Sequence, residues 1–353
     1  MNKAVRIMLD IETEMLENMI ELLMKGRDIG GIEWQLERLQ SLGLLRELNT
    51  RSVMKHRDEI TAAIRETIEY NAFRRVTMVD QATKAAGKTL AGVLNPKADP
   101  AILAILDGWQ RAAVDKAGRM YGEMLYKSGQ IFQETVIKTT AKVALGVSGR
   151  EAIAQTATEW AENGIPALVD SAGRQWSTEA YAQSIIRTVS TNVANDSQME
   201  RMAELGEDLV EISSHLGSRP DHADFQGRIF SISGRHPKYD ALSVTGYGTA
   251  SGIGGVNCRH VLYPYFEGTP KTFKPQPEKR NEEAYIASQK QRFLERQIRK
   301  AKREEQLAVK TGVDSAITQA KEKVRARQKA MRDFIDDTGR KRQRDREQVY
   351  GTL

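Results

Sequence analysis

Three short runs rich in β-branched and aromatic residues, DLVEISSH (208–215), GRIFSIS (227–233) and CRHVLYPYF (258–266), are bounded by Gly, Pro and Asp. They are confined to one stretch of the chain; the first 95 residues show helical spacing without strand-like alternation, and residues up to about 207 read as mostly α. Such a chain has to fold as mainly α structure carrying one small α+β unit. The runs place its sheet between about residues 208 and 268, in a compact domain rich in Gly and His. At 353 residues the chain exceeds what one core usually organises. Four regions are read from it: an N-terminal helical region (1–95), a second helical region (96–207), the small α+β domain (208–270) and a basic helical tail (271–353).

Local signals mark the helices. Ile32, Leu36 and Leu39 are spaced to form one apolar face, and Trp34 is expected to pack between helices. Asp99 before Pro100 predicts an N-cap and first helical position, and Ser148 with Glu151 has the spacing of a capping box. Another long helical run follows Trp176. GTPKTFKPQPE (268–278) reads as a linker. The charged segment after it predicts a helical hairpin interrupted at Gly312, with a narrow seam of Val313, Ile317, Ala320, Val324, Met331 and Phe334. The last residues, TGRKRQRDREQVYGTL (338–353), offer no apolar face and are expected to be mobile unless a partner orders them.

A single cysteine forms no internal disulfide, so a reducing cytoplasm is the simplest home. Asp10, Glu12, Glu14, Glu17 and Glu21 interrupt the first apolar stretch, which excludes a signal peptide, and no 18-residue apolar run predicts a membrane span. The net charge of +6 is unevenly placed: residues 271–353 hold 23 Lys/Arg against 13 Asp/Glu, while the rest of the chain is net acidic. GRKRQRDR (339–346) concentrates five of these cations, Arg340, Lys341, Arg342, Arg344 and Arg346, at a density that grips phosphates without reading bases. Aromatic residues for stacking on single strands are not interleaved with them. Weak, sequence-independent contact with duplex DNA is the expectation.

SSHLGSRPDHADFQGRIFS (213–231) and NCRHVLYPYFEG (257–268) hold three of the five histidines and the only cysteine. On a strand, Cys258 and His260 project from one face, as two metal ligands should. His222 or His215 would add a third and Asp224 or His236 a fourth, a mixed set suited to Zn²⁺. A catalytic alternative uses His215 and His222 as general base and acid, with Arg219 or Arg259 stabilising charge in nuclease-like phosphodiester chemistry. The reading preferred from sequence is scaffold. Gly217, Pro220, Gly227 and the glycines of TGYGTASGIGG (245–255) shape tight turns, while His215, His222, Cys258 and His260 fill a small core or metal knot. No catalytic residue and no cofactor is then expected, with Zn²⁺ as the ion that the set would accept. The glycine-rich loop has the wrong spacing, and no following helix, for a dinucleotide fingerprint.

EWQLERLQSLGLLREL (33–48), the long block from ALVDSAGRQW (167–176) through ADFQGRIFS (223–231), TGYGTASGIGGVNCRHVLYPYFEG (245–268) and QKQRFLERQIRKAKRE (289–304) together resemble the tailed-phage minor capsid protein 2 family, related more loosely to Mu-type head morphogenesis proteins. The resemblance runs nearly end to end. It implies a structural protein in the interior of the phage head, assembled in the host cytoplasm and placed near the portal vertex, acting in head assembly and DNA packaging or delivery. It further implies several copies, the portal and other head proteins as partners, packaged double-stranded DNA at the basic tail, and no membrane. The alternative is an enzyme delivered with the genome.

Overall fold

The computed structural model describes residues 2–349, and among these it has ten α-helices and two small antiparallel sheets. This is the mainly α architecture with a small β-containing unit that the sequence predicts. The chain forms two compact units, one from residues 1–61, 117–183 and 290–353, the other from 62–116 and 184–289. Among the described residues no helix is long and apolar enough to cross a membrane.

The first unit is organised around α1 (Lys3–Leu23). Asn2 caps it by accepting the Ala4 N–H at 2.8 Å. Apolar residues occupy nearly every turn position, so the helix is buried on most of its circumference, including Met8, Ile11, Met15 and Met19. Three of its carboxylates are matched with partners. Glu12, only 1 % exposed, accepts the Ile165 N–H at 2.9 Å. Glu14 meets Lys55 at 2.7 Å and His56 at 2.9 Å, and Glu17 meets Lys310 at 3.1 Å.

After α1 come α2 (Ile32–Gln40) and α3 (Leu42–Lys55). The expected face of Ile32, Leu36 and Leu39 is not the one that α2 buries: Ile32 and Leu36 are exposed and Leu39 is half-buried, whereas Trp34 and Arg38 are buried. The reason is a need for donors. The last carbonyls of a helix have no partner within it, and here Trp34 Nε1 donates to Leu23 O at 3.2 Å while Arg38 donates to Leu22 O at 2.5 Å and to Lys25 O at 3.0 Å.

Two long helices, α4 (Arg57–Ala85) and α5 (Pro100–Ala144), and the shorter α6 (Gly149–Asn163) follow. Asp99 caps α5 by accepting the Ala101 N–H at 3.0 Å, and Ser148 caps α6 by accepting from Glu151 N, as expected. The region read as mostly helical also holds a hairpin, β1 (Pro166–Val169) with β2 (Gln175–Ser177). Asp170 builds its turn, accepting the N–H groups of Ala172 and Arg174 at 3.0 and 2.9 Å and Trp176 Nε1 at 3.2 Å.

Beyond it run α7 (Thr178–Glu204) and the short α8 (Pro220–Ala223), and the chain ends in α9 (Glu278–Thr311) and α10 (Asp314–Thr338). Gly312 breaks α9 from α10 at a φ of +66°. Leu294 and Ile298 pack against Met331, Phe334 and Ile335, which sets the two helices antiparallel as the predicted hairpin. Ala320, Val324 and Met331 of the seam are buried. Residues 340–348, read from sequence as mobile, lie along α9: Arg340 Nε donates to Gln291 at 2.8 Å, Gln291 donates to Lys341 O at 3.0 Å and Lys302 donates to Gln348 at 2.9 Å. Residues 350–353 lie outside the described part.

In the second unit the three predicted strands form one sheet in the order β4–β3–β5, from β3 (Leu209–Ile212), β4 (Ile229–Ser231) and β5 (Leu262–Pro264), antiparallel throughout. One face packs with Val79 of α4 and Met202 of α7, so that Val210, Ile212, Phe230, Leu242, Ile253 and Leu262 share a core. The segment read as a linker is pinned to this sheet. Both oxygens of buried Glu211 accept backbone N–H groups, from Thr272 and Phe273, each at 2.8 Å.

Candidate metal centre

One edge of the small sheet carries the polar cluster. Pro220 at the first helical position fixes the backbone of α8, and this single turn directs His222 inward. His222 is 2 % exposed, and its Nε2 lies 2.7 Å from Ser251 O. A carbonyl only accepts, so Nε2 carries the proton and Nδ1 offers a lone pair. That Nδ1 is 3.6 Å from Cys258 Sγ.

The Ser251 carbonyl is held by the glycine-rich loop, which is closely packed. A Cβ on Gly252 would lie 2.0 Å from Gly246 O, and one on Gly255 would lie 2.5 Å from the carbonyls of Thr249 and Ala250, so only glycine allows the fold-back. Asn257, at a φ of +58°, then turns the chain into Cys258 and receives Arg187 Nη1 at 2.6 Å. Asparagine tolerates this left-handed conformation better than most residues. The strand expected to start at Cys258 begins at Leu262, yet the alternation already holds: Cys258 and His260 are buried and Arg259 is exposed. Reciprocal bonds between Ser213 and Val261, both 2.9 Å, fix this register.

His260 completes the arrangement. It is 1 % exposed, its Nδ1 lies 3.6 Å from Cys258 Sγ, and its Nε2 has no hydrogen-bond partner among the described residues. One candidate ligand atom from each of His222, Cys258 and His260 lies within 4.8 Å of the others. His215 adjoins without joining: its ring centroid is 4.5 Å from that of His260 and the side chain is half-buried.

Electrostatics divides the imidazoles. Burial, together with the neighbouring histidines and Arg219, pushes His260 down to about 3, so it is neutral at any ordinary pH. Burial, with the charge of Arg259, likewise lowers His215. Burial opposes the charged form of both His222 and Cys258, but their mutual hydrogen bond, the Ser251 carbonyl at the imidazole and the backbone N–H groups at the sulfur outweigh it. His222 is raised and Cys258 is lowered. The thiolate, the metal-binding form of cysteine, is thereby favoured.

The remaining predicted residues are dispersed. Asp224 is an exposed residue at the C-terminus of α8. His236 stands apart, 3.7 Å from Glu267 and against the Tyr239 ring. Of the acid–base pair weighed from sequence, His222 is buried and bonded to a carbonyl, and only His215 is partly exposed. Arg219 lies 3.1 Å from His222 Nε2, and Arg259 is exposed. In the tail Lys341, Arg344 and Arg346 are exposed, whereas Arg342 makes a bidentate pair with buried Glu347 at 2.7 and 2.6 Å.

Two supporting residues escaped the sequence reading. Asn281, at the start of α9, accepts from Gly217 N at 2.8 Å and Ser218 N at 3.0 Å and donates to Ser218 O at 3.2 Å. Gln226 accepts the His215 N–H at 2.6 Å and donates to Ser218 Oγ at 2.9 Å. An amide in a polar loop, bonding to backbone far away in sequence, leaves no periodic trace.

The chain is 27 % identical over 340 residues to a structural protein of Lactococcus phage LL-H, covering 90 % of this chain and 89 % of the relative. It is 35 % identical over 119 residues to a structural protein of Lactococcus phage mv4, covering 32 % of this chain and 94 % of that one. No solved structure matches it. The model of phage minor capsid protein 2 matches residues 1–336, and the chain therefore belongs to the phage minor capsid protein 2 family.

Proposed function

We propose that this structural phage protein is a low-copy component of the head interior near the portal vertex, where it acts in head assembly and in DNA packaging or delivery. Its basic C-terminal region contacts packaged duplex DNA without reading sequence. The observation that carries this reading is the family match over nearly the whole chain, combined with a charge surplus confined to residues 271–353.

DNA inside a head presents a dense array of phosphates, and cations that meet them displace bound counterions whatever the base sequence. Lys341, Arg344 and Arg346 project from a segment anchored on α9, so their charges are offered at fixed positions. The long helices offer stripes for the portal and for neighbouring copies. Fractionated virions probed for this chain, together with a map of the intact portal vertex, test the location. Absence from the particle, or density confined to the outer shell, overturns it. Titration of the purified chain with mixed-sequence duplex at rising salt tests the DNA contact, and affinity independent of ionic strength overturns that part.

A further inference from the structure

Two close sulfur–nitrogen approaches meet at Cys258, and their lengths carry chemical meaning. Zinc bonds to nitrogen at about 2.0–2.1 Å and to thiolate sulfur at about 2.3 Å, so two such ligands at a tetrahedral angle are separated by about 3.6 Å. Both the Cys258 Sγ to His222 Nδ1 and the Cys258 Sγ to His260 Nδ1 distances are 3.6 Å.

Two further observations point to a cation. His222 donates its other ring nitrogen to the Ser251 carbonyl, the outer contact that ligating histidines commonly make and that fixes the ligating tautomer. His260 is almost wholly buried and turns its Nδ1 to the same sulfur, so three candidate donor atoms are gathered away from solvent.

We infer that His222, Cys258 and His260 form a zinc site that ties the α8 turn to the segment entering β5. A soft thiolate with two imidazoles selects zinc over magnesium or calcium, which prefer oxygen. On binding, the cysteine proton leaves to solvent and the sulfur lone pair forms the bond. The three residues supply three of the four tetrahedral positions. The role is structural: the sheet has three strands of only three or four residues, and a metal crosslink between its edge and the preceding loop offsets that small size. The inference does not rest on where the protein sits in the virion.

The full-length chain, purified without chelator, incubated with excess zinc chloride and dialysed, is expected to retain about one zinc per chain by elemental analysis. Cobalt substituted for zinc is expected to show a thiolate-to-metal charge-transfer band that Cys258→Ser abolishes, while His215→Ala keeps both the band and the stoichiometry. Chelation is expected to lower the melting temperature of the wild-type chain and not that of Cys258→Ser. Retention of less than roughly half an equivalent by the wild-type chain, or a cobalt-loaded wild type without a sulfur band, overturns the site. Both decisive readings use the wild-type protein, so a variant that misfolds does not obscure the result.

Discussion

Glu12 lies 3.1 Å from the guanidinium of Arg303, although 291 residues separate them in sequence. The carboxylate is buried and also holds the Ile165 N–H, so deleting it strands an arginine and a backbone donor together. Glu12→Ala is expected to destabilise the protein by about 3 kcal/mol, the usual effect of breaking a buried pair by removing one partner. Arg303→Met is expected to cost less when combined with Glu12→Gln than in the Glu12 wild-type background. Urea midpoints across the double-mutant cycle check this, and additive effects would show the pair to be energetically inert.

Asn281 holds the 217–218 backbone through its side-chain oxygen and nitrogen. Asn281→Ala leaves the buried Ser218 N–H and the half-buried Gly217 N–H without this acceptor and is expected to cost about 2 kcal/mol. Hydrogen exchange at Gly217 and Ser218 is expected to accelerate far more than exchange in β3. Unchanged protection at both amides would remove the residue from this role.

Asp170 carries the acid sensitivity of the β1–β2 turn. Backbone hydrogen bonds, led by Arg174, hold its carboxyl at about 2, below the ordinary 3.8. An acid whose folded value is depressed contributes stability that is complete above the ordinary value and is lost as pH falls through the folded one. The Trp176 indole N–H resonance is therefore expected to hold its position down to about pH 4 and to shift as pH falls toward 2. In Asp170→Asn the resonance is expected to lack this transition, and a wild-type midpoint near 4 would contradict the assignment.

Lys341→Ala, Arg344→Ala and Arg346→Ala together are expected to weaken duplex binding equally for unrelated sequences. Each lost phosphate contact lowers the slope of log affinity against log salt by about 1. Arg342→Ala acts differently because its guanidinium is engaged by Glu347: it is expected to loosen the docked segment. Filter binding at several salt concentrations separates the two, and a triple variant with wild-type slope would exclude these side chains from the contact.

Much of the fold was legible wherever the signal was local. Caps at Asp99 and Ser148, the break at Gly312 and the three strands of the sheet all follow from residues within a few positions of the feature they set. The β1–β2 hairpin was missed because its strands have only four and three residues and it lies between long helices whose periodicity dominates any window. Trp34 was recognised as buried, but Arg38 was not, since an arginine that caps another helix looks like a solvated charge. The candidate site was half legible: residue types and the two-residue spacing of Cys258 and His260 pointed to these candidate ligands, whereas the approach of His222 depends on the fold-back of a glycine loop. Glu211 shows the same limit, its partners being backbone amides of residues 272 and 273.

The burial of α1 has a consequence for biosynthesis. This helix is apolar on most sides, and Arg303 and Lys310, which answer Glu12 and Glu17, are made 291 and 293 residues after them. At roughly 5–20 residues per second, α1 emerges from the ribosome about 15 to 60 s before those partners exist. α3 covers part of the helix soon after it is made, but through that interval Glu12 and Glu17 wait for their cations, and a chain stopped before α9 never supplies them.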